Sequence, residues 1–264
     1  MQILYKNFLL ARIINFTTVS FMKSIISHIE YSPSKEVTFV RCKPETSFSF
    51  KEWQFMMISS DFTHEWLGKP LKKPYSIATT NNELQTEWTI WFVVKKSREG
   101  FMSEYLTEKI AIWDVLHLQW PVGHLVDGWI HTHYLLISVG SWLSPMIGLY
   151  ESIVAKQQNT GKVAMLYGER YLNQVLPSTI ELFKKENNNL FKKLSLSKED
   201  LSITNYELRV TSGYVQKQLD SALEFLGTKA VSVFICGKPE MVDDVRTKLI
   251  EFGIDGKDIK FEKY

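Results

Sequence analysis

The chain has 264 residues, 45% of them hydrophobic, and its 31 Lys and Arg nearly balance 29 Asp and Glu, leaving a net charge of +2. That length and apolar content allow one or two packed domains, and the charge gives no electrostatic case for nucleic acid. Two cysteines, Cys42 and Cys236, make no CxxC pair and cannot complete a four-cysteine iron–sulfur site, so a reduced, cytoplasmic setting is expected.

Residues 1–21 are apolar-rich but interrupted by Lys6, Arg12 and Asn15. A spanning helix needs about 20 mostly apolar residues, and no small-residue cleavage site closes the segment. A start codon placed too early is the preferred reading, and a short peripheral membrane helix is the alternative. From Ser24 to about Leu125 the chain reads as strands. Val37-Thr38-Phe39-Val40 and Glu87-Trp88-Thr89-Ile90-Trp91-Phe92-Val93-Val94 are β-branched and aromatic runs bounded by turn residues. With one clear helical stretch at 103–110, this pattern predicts a small antiparallel β-barrel.

The pattern changes after Asp127. Tyr134-Leu135-Leu136-Ile137-Ser138-Val139 is a continuous apolar strand, and 145–156 has helical periodicity. Further strands are expected at 162–167, 201–204, 230–235 and 259–261, separated by helical stretches at 172–185, 214–225 and 240–252. Residues 184–189 read as a polar surface loop. Alternating strands and helices indicate βαβ units on a doubly wound parallel sheet. The expected organisation is an extension over 1–21, a barrel domain over 22–126 and an α/β domain over 127–264.

Several strings carry chemistry, in a fixed order. Lys72-Lys73-Pro74-Tyr75-Ser76-Ile77-Ala78-Thr79 puts Tyr75 and Ser76 on opposite sides of a strand. Gly100-Phe101-Met102-Ser103 opens a helix whose N–H groups attract phosphate, with Ser103 a candidate N-cap. In Gly140-Ser141-Trp142-Leu143-Ser144-Pro145, Gly140 ends a buried strand and Pro145 begins a helix, where a doubly wound sheet binds pyrophosphate. Cys236-Gly237-Lys238-Pro239-Glu240-Met241 lies at another strand end, and the chain closes on Glu262-Lys263-Tyr264.

Over residues 23–264 this ordered set resembles the ferredoxin–NADP reductase family, in which a flavin barrel precedes a nicotinamide-nucleotide domain. The resemblance implies FAD rather than FMN, together with NADP(H), and implies no metal. It assigns Tyr75 to stacking on the isoalloxazine and the Ser76 hydroxyl to the region of N5. Lys73 stands where the family has a phosphate-binding arginine, keeping the charge but losing the bidentate fork. Gly100 and Ser103 match the flavin pyrophosphate segment, and Pro121-Val122-Gly123-His124-Leu125 matches the turn that closes the barrel.

On the nucleotide side the resemblance places Gly140, Ser141 and Pro145 in the pyrophosphate loop. Arg170 of Gly168-Glu169-Arg170, Ser197 and Lys198 of Ser197-Lys198-Glu199, and Arg209 match the residues around the 2′-phosphate. Cys236, with Gly237 and Pro239, matches the nicotinamide end. Glu262 and Tyr264 match the closing acid and aromatic that shield the flavin and gate the nicotinamide. The catalytic set so implied is Ser76, Cys236, Glu262 and Tyr264.

The implied activity is hydride transfer between NADPH and flavin, with one-electron exchange to ferredoxin or flavodoxin, by a monomer without nucleic-acid or membrane contact. A reductase subunit of an oxygenase or another dehydrogenase is the close alternative. A binding protein without turnover is the alternative from another class, and it turns on tryptophan. Trp53, Trp113, Trp120 and Trp142 occupy slots where the family has glycine, and Trp129 beside Gly128 is a candidate fifth. Thirteen glycines are about 5% of the chain, below the usual ~7%. Two explanations stand open: UGA codons that mean glycine were translated as tryptophan, or a divergent chain has a blocked nucleotide loop.

Overall fold

The computed structural model describes residues 21–63, 70–98, 100–123, 131–156, 161–185, 187–199 and 210–263. The expected strand at 201–204, the domain boundary at 126/127, nearly all of the N-terminal extension, Arg209 and Tyr264 lie outside the described residues.

Strands β1 (Phe21–Tyr31), β2 (Val37–Pro44), β3 (Phe55–Thr63), β4 (Pro70–Ser76), β5 (Ile90–Lys95) and β6 (Val115–Gln119) form one antiparallel sheet of order β4-β3-β6-β1-β2-β5. Its two edges nearly meet. Just past β4, Ala78 N–H donates to the Trp91 carbonyl at 2.9 Å, and Trp91 N–H donates to Thr79 Oγ1 at 2.6 Å. The sheet therefore curls into a nearly closed barrel around Ile26, Met56, Ile58, Phe92 and Leu116. At the turn after β6, Val122 bridges to Phe55, and Gly123 has φ +124°, which favours glycine.

Two features of this half depart from the sequence reading. A helix at Asn81–Glu87 was not anticipated; Thr80 and Glu83 close it with a capping box, and Leu84 is its one buried residue. The helix expected at 103–110 instead starts at Phe101 (Phe101–Glu104) and widens into a π-type turn over Tyr105–Lys109.

The second sheet is parallel throughout. It contains β7 (His133–Val139), β8 (Val163–Glu169), β9 (Leu190–Leu196), β10 (Val210–Ser212), β11 (Val231–Gly237) and β12 (Ile259–Lys263), in the order β10-β9-β8-β7-β11-β12. Every residue of β8 and β11 is buried, as strands covered on both faces require. Helices Leu143–Lys156 and Pro177–Lys184 pack on one face; helices Leu219–Leu226 and Pro239–Phe252 pack on the other. The chain builds outward from β7 through β8 to β10, then returns to the other side of β7 with β11. The topological switch therefore falls at β7, where open α/β sheets bind ligands beyond the strand carboxyl ends. No described helix is long and apolar enough to cross a membrane.

One core is common to both halves. Val37, Phe39, Trp53, Ala78 and Val93 from the barrel pack with Met146, Tyr150, Phe234 and Cys236 from the second sheet and its helix. Gly148 is where the Leu143–Lys156 helix comes nearest the barrel. A Cβ there would stand 2.8 Å from the Thr79 carbonyl oxygen and 3.4 Å from the Ala78 carbonyl carbon. Both are backbone atoms, so a methyl group forces the helix away. Gly148→Ala is expected to lower stability by about 1–3 kcal/mol, measured by urea unfolding; an unchanged midpoint would show that the approach is not tight.

Candidate functional site

A glycine lies at the carboxyl end of each of β7, β8 and β11: Gly140 follows β7, Gly168 is next to last in β8 and Gly237 ends β11. Gly140 has φ +59°, a left-handed conformation that side chains resist. A Cβ at Gly168 would come within 3.0 Å of Val139 Cγ1, and one at Gly237 within 3.1 Å of Val139 Cγ2. Val139 thus fills the gap between its two neighbouring strands and leaves no room for a side chain on either. At these three positions the rim carries no side chain, so backbone there can approach a ligand closely.

From this rim the chain makes a single 3-10 turn, Gly140–Trp142, and enters the helix at Leu143, so Pro145 is the third helical residue rather than the first. Ser144 next to it is fully buried. Its hydroxyl donates to the Ser76 carbonyl at 2.7 Å and accepts the Val93 N–H at 3.2 Å. The nucleotide-type loop is thereby tied directly to the strand carrying Tyr75 and Ser76. Sequence reasoning missed Ser144, and no spacing pattern marks it. Gly148 one turn later did carry a signal, as an isolated glycine inside a helical pattern.

On the barrel side, Tyr75 is half-buried against the core, and burial pushes its phenol well above the usual range. Lys73 is exposed two residues earlier. Gly100, not Ser103, stands at the N-cap of the Phe101–Glu104 helix. The Ser103 hydroxyl instead turns back, donating to the Gly100 carbonyl at 2.7 Å and accepting the Ser97 N–H at 2.9 Å. A Cβ at Gly100 would meet Ser103 Oγ at 2.6 Å and Ser97 Cβ at 2.9 Å. Ser103 therefore shapes this turn.

At the second sheet, Cys236 is buried between Ser138 on β7 and Glu262 on β12. Burial, with a smaller contribution from the Glu262 carboxylate, pushes its thiol far up. The sulfur is held as neutral thiol, not as a thiolate nucleophile. Pro239 opens the helix that follows, with Lys238 as N-cap. The ends of β8 and β9 are zipped together: Ser197 N–H donates to the Glu169 carbonyl at 2.9 Å and Lys198 N–H to the Arg170 carbonyl at 3.0 Å. Arg170 and Lys198 are exposed side by side on this ledge. Glu169 itself turns inward, buried, and pairs with Lys95 of β5, whose side chain also lies 3.8 Å from where a Gly140 Cβ would be. Burial raises the Glu169 carboxyl, and the Lys95 ammonium opposes that shift.

A second, half-buried acid lies behind the loop. Glu151, two turns along the Leu143–Lys156 helix from Ser144, shares a hydrogen bond with Glu83 of the capped barrel helix. Burial, then the Glu83 carboxylate, raises its pKa from 4.5 to about 7. A folded-state pKa above the unfolded one means that the protonated form is favoured on folding. The contribution is complete below about 4.5 and is lost as pH rises through about 7. The wild-type thermal midpoint should therefore fall from pH 5 to pH 8 more steeply than that of Glu151→Gln, which keeps the hydrogen bond and cannot ionise. Parallel curves for the two proteins would refute the assignment.

Comparison with known proteins agrees with this geometry. Residues 136–247 match the family model for the oxidoreductase NAD-binding domain. The anthranilate 1,2-dioxygenase electron transfer component of Acinetobacter baylyi is 25% identical over 221 residues, 81% of this chain and 58% of that protein. The toluate 1,2-dioxygenase electron transfer component of Pseudomonas putida is 24% identical over 198 residues, 75% of this chain and 55% of that protein. The chain thus spans little more than half the length of these curated relatives. Among solved structures, a ferredoxin NADP+ reductase from Neisseria gonorrhoeae with bound FAD and NADP superposes with a TM-score of 0.72 at 16% identity, over 93% of this chain and 99% of that one. The ferredoxin reductase in carbazole 1,9a-dioxygenase gives 0.74 at 21% identity, over 92% and 69%.

A six-stranded antiparallel barrel followed by a parallel sheet is the two-domain fold that this chain shares with the ferredoxin NADP+ reductase from Neisseria gonorrhoeae. Within it, residues 136–247 match the oxidoreductase NAD-binding domain.

Proposed function

We propose that the protein is an NAD(P)H-dependent flavin oxidoreductase that exchanges electrons with a small carrier such as ferredoxin or flavodoxin. The observation that carries this reading is the Ser144 bridge, which holds the Tyr75–Ser76 strand against the loop that follows Gly140. FAD and NADP(H), when bound, supply hydride and one-electron chemistry. The protein supplies position and surroundings.

The residues present fit a flavin on the barrel side. Tyr75 offers a ring whose neutral phenol cannot ionise at working pH, Ser76 a hydroxyl on the opposite side of the strand, and Lys73 an exposed cation for phosphate. The Gly100 turn, where the backbone is bare of a side chain at the start of the Phe101–Glu104 helix, fits the pyrophosphate. On the other side the bare rim of Gly140, Gly168 and Gly237 fits a dinucleotide, with Ser141 and Pro145 in its loop and Pro239 opening the next helix. Cys236 as a neutral thiol beside Glu262 packs against the nicotinamide end without competing as a nucleophile. Arg170, Ser197 and Lys198 favour NADPH over NADH, with Arg209 assigned to the same group and Tyr264 to gating. We place the protein in the cytoplasm as a monomer; two buried, unpaired cysteines support the reducing setting.

The relatives that are electron transfer components of dioxygenases favour a second reading, in which the acceptor is the partner of an oxygenase. Both readings share the first test. The purified protein should be yellow and should bleach with NADPH under anaerobic conditions; a yellow protein that no nicotinamide reduces would establish binding without turnover. Arg170→Ala with Lys198→Ala should raise KM for NADPH roughly tenfold or more, from lost charged hydrogen bonds to phosphate, and leave KM for NADH nearly unchanged. Equal effects on both nucleotides would remove the 2′-phosphate assignment. Diaphorase assays with added ferredoxin or flavodoxin then separate the acceptors.

A further inference from the structure

Among the described residues, four that are not glycine have left-handed backbone: Lys35 at φ 59°, Trp53 at 79°, Trp88 at 56° and Trp113 at 80°. Positive φ is uncommon for any side chain, and for a bulky one it is an outlier. Three of the four here are tryptophan.

Each sits at a position whose geometry asks for glycine. Residues 51–54 make a turn closed by Gln54 N–H to the Lys51 carbonyl at 3.2 Å, and Trp53 is its third residue. Residues 111–114 repeat the arrangement, with Asp114 N–H to the Ala111 carbonyl at 3.2 Å and Trp113 third. A φ near +80° at the third residue is the type II turn, which takes glycine there. The second turn has no freedom to change. Trp113 N–H donates to the Ile26 carbonyl and Ile26 N–H to the Asp114 carbonyl, both at 2.9 Å, while the Asp114 carboxylate holds Ala111 N–H at 2.8 Å.

Trp88 ends the Asn81–Glu87 helix in the left-handed cap, its N–H bonding back to the Leu84 carbonyl at 3.1 Å. The chain supplies its own control. The Leu219–Leu226 and Pro239–Phe252 helices end in the same left-handed cap, and there the residues are Gly227 at φ 68° and Gly253 at 99°. At two of the three sites the side chain does not account for the choice either, because Trp88 and Trp113 are 51% and 76% exposed; Trp53 is buried and packs against Phe234, so there the turn alone carries the argument. Trp91 shows the contrast: it lies within β5 with its indole under Arg41 at 4.0 Å and edge-on to Phe39 at 4.7 Å.

We infer that positions 53, 88 and 113 are glycine in the protein made by its own cell, from UGA codons that this cell reads as glycine. One decoding difference explains why the misfit residue is the same each time; independent substitutions would have to choose the largest side chain at three glycine-demanding sites. The inference extends to Trp142, which stands in the loop between left-handed Gly140 and the helix start. That extension rests on the nucleotide reading above. With glycine at 142 the loop would lose an indole that is half-buried against the shared core and would offer backbone in its place.

The gene and the native protein decide it. UGA is expected at codons 53, 88, 113 and 142, and peptides from protein purified out of its source cells should carry glycine at each. UGG at any of the first three, or tryptophan in those native peptides, overturns the inference; UGG at codon 142 alone overturns the extension to the loop. In protein made under the standard code, Trp88→Gly and Trp113→Gly should each raise the thermal midpoint by about 2–4 °C, and a fall would count against glycine there. None of these readouts needs bound flavin or nicotinamide, so failure of NADPH reduction leaves them standing.

Discussion

The joint between the two sheets rests on one hydroxyl. Ser144 accepts from a barrel strand, through Val93 N–H, and donates to the end of another, through the Ser76 carbonyl. Leaving either buried backbone group without a partner costs about 1–3 kcal/mol, so the helix has one preferred seat. Gly148 is on the same face of that helix, one turn further on, and its missing side chain sets how near the seat can be. Direction comes from Ser144 and distance from Gly148. The relation of Tyr75 and Ser76 to the Gly140 loop follows from both.

Around this joint the protein keeps its titratable groups neutral or paired. The Cys236 thiol and the Tyr75 phenol are pushed up by burial, and Glu169 is answered by Lys95. Further ties run between the halves: Ser34 N–H to the Asn173 carbonyl at 2.8 Å, Ser178 N–H to Glu30 at 2.7 Å, and Gln174 to Glu36. The proposed chemistry gains from such surroundings, because the thiol and the phenol stay neutral and the Glu169 carboxylate is paired.

Much of the architecture was legible. Strand alternation followed by strand–helix alternation gave the class of both halves, and two strand ends are marked by glycine, Gly140 because its backbone is left-handed and Gly237 because Met241 and Val139 leave no room for a Cβ. The misses have physical causes. Strand β9 was passed over because Lys192 and Lys193 interrupt it, yet Lys192 is buried: its ammonium bonds the Leu182 carbonyl and lies 5.6 Å from the Tyr150 ring. The Asn81–Glu87 helix had its capping box in plain text, but a single buried apolar residue left no periodicity to detect. Ser144 was illegible because a serine at a helix start looks the same whether it bonds solvent or another sheet. Nothing in the sequence sets Trp88 apart from the other tryptophans; its left-handed backbone does.

The core that joins Val37, Phe39, Ala78 and Val93 to Met146, Tyr150 and Cys236 belongs to both halves at once. Separating the halves would expose the helix face around Met146 and Tyr150 and the barrel wall around Phe39 and Val93 to water together. The pair therefore packs as one unit, although each half keeps a core of its own.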